Sequence, residues 1–180
     1  VFAYNEFESG SLTSNGHVAD PAQEYRNCVY SCNSQAANLG HGKRMENSLF
    51  IHNSTPSGTM YTGTNWSGMN TIDHCTFAFN ICNYYSSNWW DHMGDVRSSI
   101  FYPGDARDHV SGNQSVIDYF NSLGDGISGN GNIQGDPLFA DADAMDYSLA
   151  TGSPCIGSGE GGTDMGVDMT QLQPWLFSFL

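Results

Sequence analysis

The chain of 180 residues is long enough for one domain with its own core, and it sets 19 acidic residues against five Lys plus Arg, a formal net charge of −14. That charge repels nucleic acid and anionic membrane surfaces, and no apolar run reaches the ~18 residues that a membrane-spanning helix needs. Its 21 glycines, with many Asn, Ser and Thr and few strong helix formers, are unusual for a helical enzyme and favour a β-rich chain with frequent bends.

Along the chain one pattern recurs. Residues 25–33 read YRNCVYSCN, 45–53 MENSLFIHN, 72–80 IDHCTFAFN and 96–104 VRSSIFYPG, and the opening VFAYN fits the end of the same frame. Column by column these are apolar, charged, small polar or His, Cys or Ser, variable, aromatic, two variable, then Asn or Gly. The aromatic anchors Phe2, Tyr30, Phe50, Phe77 and Phe101 are separated by 28, 20, 27 and 24 residues. Cys75 and Phe77 stand two apart and therefore share one face of a strand, as do Cys28 with Tyr30, Ser48 with Phe50 and Ser99 with Phe101. The closing Asn falls where the chain must bend and suits a left-handed residue.

A strand that returns every 20 to 28 residues with no helix between predicts coils stacked in parallel, about 4.8 Å per rung. The fold expected is all-β, a right-handed parallel β-helix (β-solenoid) formed as one domain over 1–180. Regular coils with loop inserts fill 1–104, and C-terminal coils and a cap fill 105–180. The aromatics Tyr30, Phe50, Phe77 and Phe101 form an inward ladder, and Asn5, Asn33, Asn53 and Asn80 form a second ladder along the bend. The charged column Arg26, Glu46, Asp73, Arg97 predicts Arg26 beside Glu46 and Arg97 beside Asp73, exposed pairs worth roughly 0–1 kcal/mol each.

Beyond Ser99 the sequence resembles the end of secreted, repeat-containing right-handed parallel β-helix proteins. Those commonly read NSIFW.N, then SNV.GG, then GNI.ADPLFVD…GDY.L..GSPCID.G. The matching residues are Ser99-Ile-Phe101, Phe120-Asn121-Ser-Leu-Gly124, Gly131-Asn-Ile133, Gly135-Asp-Pro-Leu-Phe139, Asp146-Tyr-Ser-Leu149 and Gly152-Ser-Pro-Cys-Ile156, and GTDMGVD at 162–168 is similar to the stretch that tends to follow. The resemblance implies the fold first. Its family includes surface adhesins, cell-wall-associated proteins and polysaccharide lyases or hydrolases, so activity does not follow from it.

Candidate sites are few. HCTFAFN, 74–80, has the ingredients of a Cys-His-Asn nucleophile site, but its Cys shares a column with Cys28, Ser48 and Ser99, which a small buried residue explains better. Cys28 and Cys75, two rungs apart at roughly 10 Å, are too distant for a disulfide; a pairing such as Cys32 with Cys82 stays open. His41, Lys43 and Arg44, in the basic cluster HGKR, are the catalytic candidates if the protein eliminates across a uronic acid, because such a lyase needs a base and a neutraliser of the substrate carboxylate. Asp136, Asp141, Asp143 and Asp146 offer oxygen ligands suited to Ca2+, without EF-hand spacing. Trp66, Trp89, Trp90, Tyr84 and Tyr85 lie in inserts outside the columns and are the candidates for stacking on sugar rings. Asn53, Asn65 and Asn113 begin glycosylation sequons, and Asn53, in the Asn column, is the one expected to stay unmodified.

The function expected is a non-catalytic extracellular or cell-surface module with a structural, adhesive or glycan-binding role, in a surface or filamentous assembly. Its partners are glycans or other copies of itself stacked head to tail. The alternative is a polysaccharide lyase or glycoside hydrolase acting on an acidic glycan. With no initiator Met or signal peptide, the chain reads as a processed mature form or a piece of a longer solenoid.

Overall fold

The computed structural model describes residues 2–3, 6–7, 24–32, 34–35, 40–42, 44–63, 71–87, 95–105, 110–111, 118–125 and 127–176. Most of these lie in strands of parallel sheets, and the one α-helix among them is Met169–Leu176. The first sheet orders Phe2–Ala3, Val29–Ser31, Leu49–Ile51, Thr76–Ala78, Ile100–Asp105 and Leu123–Asp125. The second runs Glu24–Arg26, Arg44–Glu46, Thr71–Asp73, Asp95–Arg97 and Asp118–Phe120, and the third Glu6–Phe7, Ser34–Gln35, Ser54–Gly63, Ile81–Ser87 and Val110–Ser111. The four successive repeats that begin at Glu24, Arg44, Thr71 and Asp95 visit the second, first and third sheets in that order.

The registers follow the repeat columns. Phe2 lies opposite Tyr30, Tyr30 opposite Phe50, and Phe77 opposite both Phe50 and Phe101. Tyr30–Phe50, Phe50–Phe77 and Phe77–Phe101 are parallel stacks with centroids 4.4, 4.6 and 5.0 Å apart. In the second sheet the strands alternate: Met45, Ile72 and Val96 are buried, and their polar neighbours Arg44, Glu46, Thr71, Asp73, Asp95 and Arg97 are half-buried on the other face.

The corners between sheets are left-handed. Asn27, Asn47, His74, Ser98 and Asn121 take positive φ between the second and first sheets, and Cys32, His52 and Phe79 do so after the first. The left-handed residue is therefore the one before Asn53 and Asn80, and not the Asn itself as the sequence suggested. Backbone bonds carry the ladder through these bends, as in Asn47 N–H to Asp73 O (3.0 Å) and Phe79 N–H to Tyr102 O (2.8 Å).

In the first sheet, Val29–Ser31, Leu49–Ile51 and Thr76–Ala78 are buried on both faces, which one layer cannot explain. The C-terminal segment is the second layer. After a short bridge of Ile133 to Leu123, it forms the antiparallel pair Phe139–Asp141 and Asp146–Leu149 and crosses back over the first sheet. Tyr147, Val167, Met169 and Leu172 pack with Val29, Leu49, Ile51 and Ala78, while Cys155 and Met165 pack with Ile100 and Leu123. The final helix thus reaches the early repeats through Met169 and Leu172. Burying each such aliphatic side chain is worth about 1.5–3 kcal/mol, so the layer contributes substantially to the fold.

Candidate functional site

The small-residue column of the repeat is a hydrogen-bond relay. Ser48 Oγ accepts from Cys28 N–H (3.2 Å) and donates to Glu46 O (2.9 Å); Ser99 Oγ accepts from Cys75 N–H (3.1 Å) and donates to Arg97 O (2.7 Å). Cys75 Sγ takes the same place and donates to Asp73 O at 3.3 Å. Full burial pushes the Cys75 thiol up to about 12, so the thiolate that a nucleophile requires is suppressed. Cys28, Cys32, Cys75 and Cys155 are all free thiols, which leaves Cys32 without the disulfide that its spacing to Cys82 left open.

Asparagine does equivalent work after the aromatic strand. Asn80 Oδ1 accepts from Asn53 N–H (2.9 Å) and from Asn53 Nδ2 (3.0 Å), and Asn80 Nδ2 donates to Phe50 O (2.8 Å). Asn53 Nδ2 also donates to Tyr30 O (2.8 Å), with the side chain 1% exposed. Asn132 continues the small-residue relay instead: Ser122 Oγ accepts from Ser99 N–H (3.1 Å), Asn132 Oδ1 accepts from Ser122 N–H (2.9 Å), and Asn132 Nδ2 donates to Tyr119 O (2.8 Å).

The remaining candidates are dispersed. Arg44 pairs with Glu46 at 3.0 Å in the second sheet, whereas the strand of His41, Gly40–Gly42, pairs with Tyr61–Gly63 in the third; Lys43 lies outside the described residues. Tyr84 and Tyr85 fall in the strand Ile81–Ser87, and Trp66, Trp89, Trp90, Asn5, Asn33, Asn65 and Asn113 lie outside the described residues. The acidic run does not converge on a cation. Asp136 accepts from Leu138 N–H, Asp141 from Ala144 N–H and Asp146 from Ser148 N–H, each closing its own turn, and Asp143 is exposed. Among the described residues no three His, Cys, Asp or Glu side chains gather to hold a metal.

What the fold does gather is a groove of about 680 Å3 where the C-terminal segment crosses the left-handed corner, lined among others by Arg26, Glu46, His74, Thr163, Asp164 and Asp168. The segment over 157–168 acts as a strap. It meets the corner column in reverse: Ser158 O accepts from Asn121 Nδ2 (3.3 Å), Glu160 N–H donates to Ser98 Oγ (2.9 Å) and Asp168 N–H to Asn47 Oδ1 (2.7 Å). Gly166, at φ +85°, lies so close to the sheet that a Cβ would stand 2.6 Å from Ile100 Cδ1 and 2.8 Å from Thr76 Oγ1; only glycine suits that approach.

Charge organises the rim. Arg26 Nε meets Glu46 Oε2 at 3.4 Å as the column predicts. Arg97 lies opposite Asp73 in register, and its guanidinium bonds Asp95 (2.7 Å) and both oxygens of Glu160 (3.0 and 2.9 Å) on the strap. His74 places Nδ1 2.8 Å from Asp73 Oδ1 and Nε2 3.0 Å from Thr163 Oγ1. An Asp-His-Thr line of this kind has the layout of a hydroxyl nucleophile with its base. The Thr163 proton, however, goes to Glu160 O at 2.9 Å and not to the imidazole, so the line fastens the strap and does not activate the hydroxyl.

Thr163, Glu160 and Asp168 were not legible as site residues. The run Gly161, Gly162 and Gly166, all at positive φ, was the available signal of a strap pressed against a surface. No family model, curated protein or solved structure matches the chain.

Proposed function

We propose that the three sheets close into a right-handed parallel β-helix of the secreted, repeat-containing kind, and that it is a non-catalytic extracellular module with a structural, adhesive or glycan-binding role. The observation that carries this reading is the uninterrupted register of the aromatic column through successive repeats, with hydroxyl side chains and the Asn53–Asn80 pair bonding rung to rung beside it. Such a register yields a stiff rod whose side groups are committed to holding one rung on the next. The Cys of the nucleophile-like motif is one of them. Polar groups with apolar neighbours along the groove, Asn27, Glu46, Asp164 and Asp168 beside Leu149 and Ile156, suit the hydroxyls and ring faces of a sugar.

The test is affinity electrophoresis against neutral and uronate-containing polysaccharides, with the ultraviolet signal of unsaturated product followed in parallel. Retardation without product is the expected result. Product formed by the wild type and lost in Lys43→Ala would overturn it and make the protein a lyase. Head-to-tail association of copies is read separately, by light scattering over a concentration series.

A further inference from the structure

His74 is held in a setting that only its charged form satisfies. Asp73 Oδ1, 2.8 Å from Nδ1, is a carboxylate oxygen and accepts, so Nδ1 must donate. Thr163 Oγ1 has one proton, which it gives to Glu160 O at 2.9 Å; toward Nε2, 3.0 Å away, the hydroxyl can only accept. A histidine that donates from both nitrogens is an imidazolium.

The groups around it come from every element packed there. Asp73 is on its own strand, Glu46 and Arg44 on one neighbouring strand, and Arg97 with its partner Asp95 on the other. The strap contributes Glu160, bonded to Arg97, and Asp164, whose Oδ1 accepts from Gly157 N–H at 2.8 Å. Neutral His74 would have to give up one donor. If the proton stays on Nδ1 for Asp73, Nε2 faces the Thr163 lone pairs, and the hydroxyl must turn from Glu160 O. That leaves the turn over 160–163 to its backbone bonds alone, Thr163 N–H to Glu160 O at 3.4 Å and Gly162 N–H to Gly159 O at 3.1 Å.

We propose that His74 is a proton lock for the strap over 157–168: its imidazolium fastens the strap across the corner, and its deprotonation loosens the strap over the part of the first sheet that Met165 and Val167 cover. The lock does not depend on what the module binds. The hydrogen bond to Asp73 raises the His74 pKa above its ordinary value, against burial, with the charges of Asp73, Glu46 and Glu160 adding to the rise. A raised pKa means that the stabilisation is fully present below the ordinary histidine pKa and is lost as pH rises through the raised one. Asp73 stays beside His74 when the strap lifts, so the strap-linked part of the rise comes from the charge of Glu160, and Thr163 Oγ1 is the strap's acceptor for the charged form.

Four strap amides report on the lock: Glu160 N–H and Gly166 N–H on Ser98, Val167 N–H on Thr76 and Asp168 N–H on Asn47. Their hydrogen exchange, corrected for the intrinsic pH dependence, is followed through the His74 midpoint measured by NMR in the same samples. Opening should rise through that midpoint, about tenfold for each unit by which strap closure raises the His74 pKa, while the amides of Thr76–Ala78 hold their protection. Thr163→Val should lower the midpoint and abolish the step; Thr163→Ser should keep both. Strap protection that stays level through the His74 midpoint, or a step unchanged in Thr163→Val, overturns the lock.

Discussion

Phe50 is completely buried between Tyr30 and Phe77, with centroids 4.4 and 4.6 Å away and ring planes within 13° of parallel. Truncation to alanine opens a cavity in the middle of the stack, and Phe→Ala at a buried site costs about 3–5 kcal/mol. Phe50→Leu keeps most of the buried apolar volume but loses two ring–ring contacts of about 0.5–1.5 kcal/mol each, so its cost should be about 1–3 kcal/mol. Urea unfolding followed by far-ultraviolet circular dichroism measures both. For a chain of this size each kcal/mol lowers Tm by about 2–4 °C, which places Phe50→Ala on the order of 10 °C below wild type. A loss under ~1 kcal/mol for Phe50→Ala, or equal losses for the two variants, would refute the stacked column.

Asn80→Ala removes the groups that Asn80 offers to Phe50 O and Asn53 N–H, at about 1–3 kcal/mol for each buried group left without its bond, and Asn80→Asp should be no milder because a carboxylate cannot donate to Phe50 O. Equilibrium denaturation of the two variants checks this. Asn53, buried and bonded through Nδ2, should carry no glycan when the chain passes through a eukaryotic secretory pathway; peptide mass mapping reads the site directly, and occupancy there would show that the Asn column faces solvent. Thiol labelling of the native protein at pH 8 should modify half-buried Cys32 well before buried Cys75 and Cys155, whose thiols burial pushes up to about 12; prompt labelling of Cys75 would contradict its place in the relay.

The repeat was legible because identical columns must meet identical columns when strands of successive repeats pair in parallel. Aromatic and charged positions therefore recur at fixed places, and Phe50 opposite Phe77 and Arg26 opposite Glu46 follow directly. The covering layer was harder to read. Its sign lay in the difference between Arg44-Met45-Glu46, which alternates, and Leu49-Phe50-Ile51, which is apolar on both faces and so requires cover on both. The site escaped because it is built from distant residues: His74 and Thr163 are 89 positions apart, and no local spacing reports a strap that runs back across the corners. The left-handed residue was misplaced by one because Asn53 and Asn80 use their amides across rungs, leaving His52 and Phe79 to take the bend. In that conformation a non-glycine residue costs roughly 1–2 kcal/mol, which the cross-rung bonds offset.

The stack itself is tested most directly by through-space proton contacts in an isotope-labelled sample. Inter-strand contacts of the parallel pattern are expected between Leu49–Ile51 and Thr76–Ala78 and between Thr76–Ala78 and Ile100–Tyr102, with Phe77 amide protons near Phe50 and Phe101, and the Asn80 side-chain amide near the Phe50 carbonyl carbon and the Asn53 amide. Close Hα–Hα contacts of an antiparallel pair, or a register shifted by one residue, would turn Phe77 to the opposite face and contradict the stacked fold on which the groove and the strap both rest.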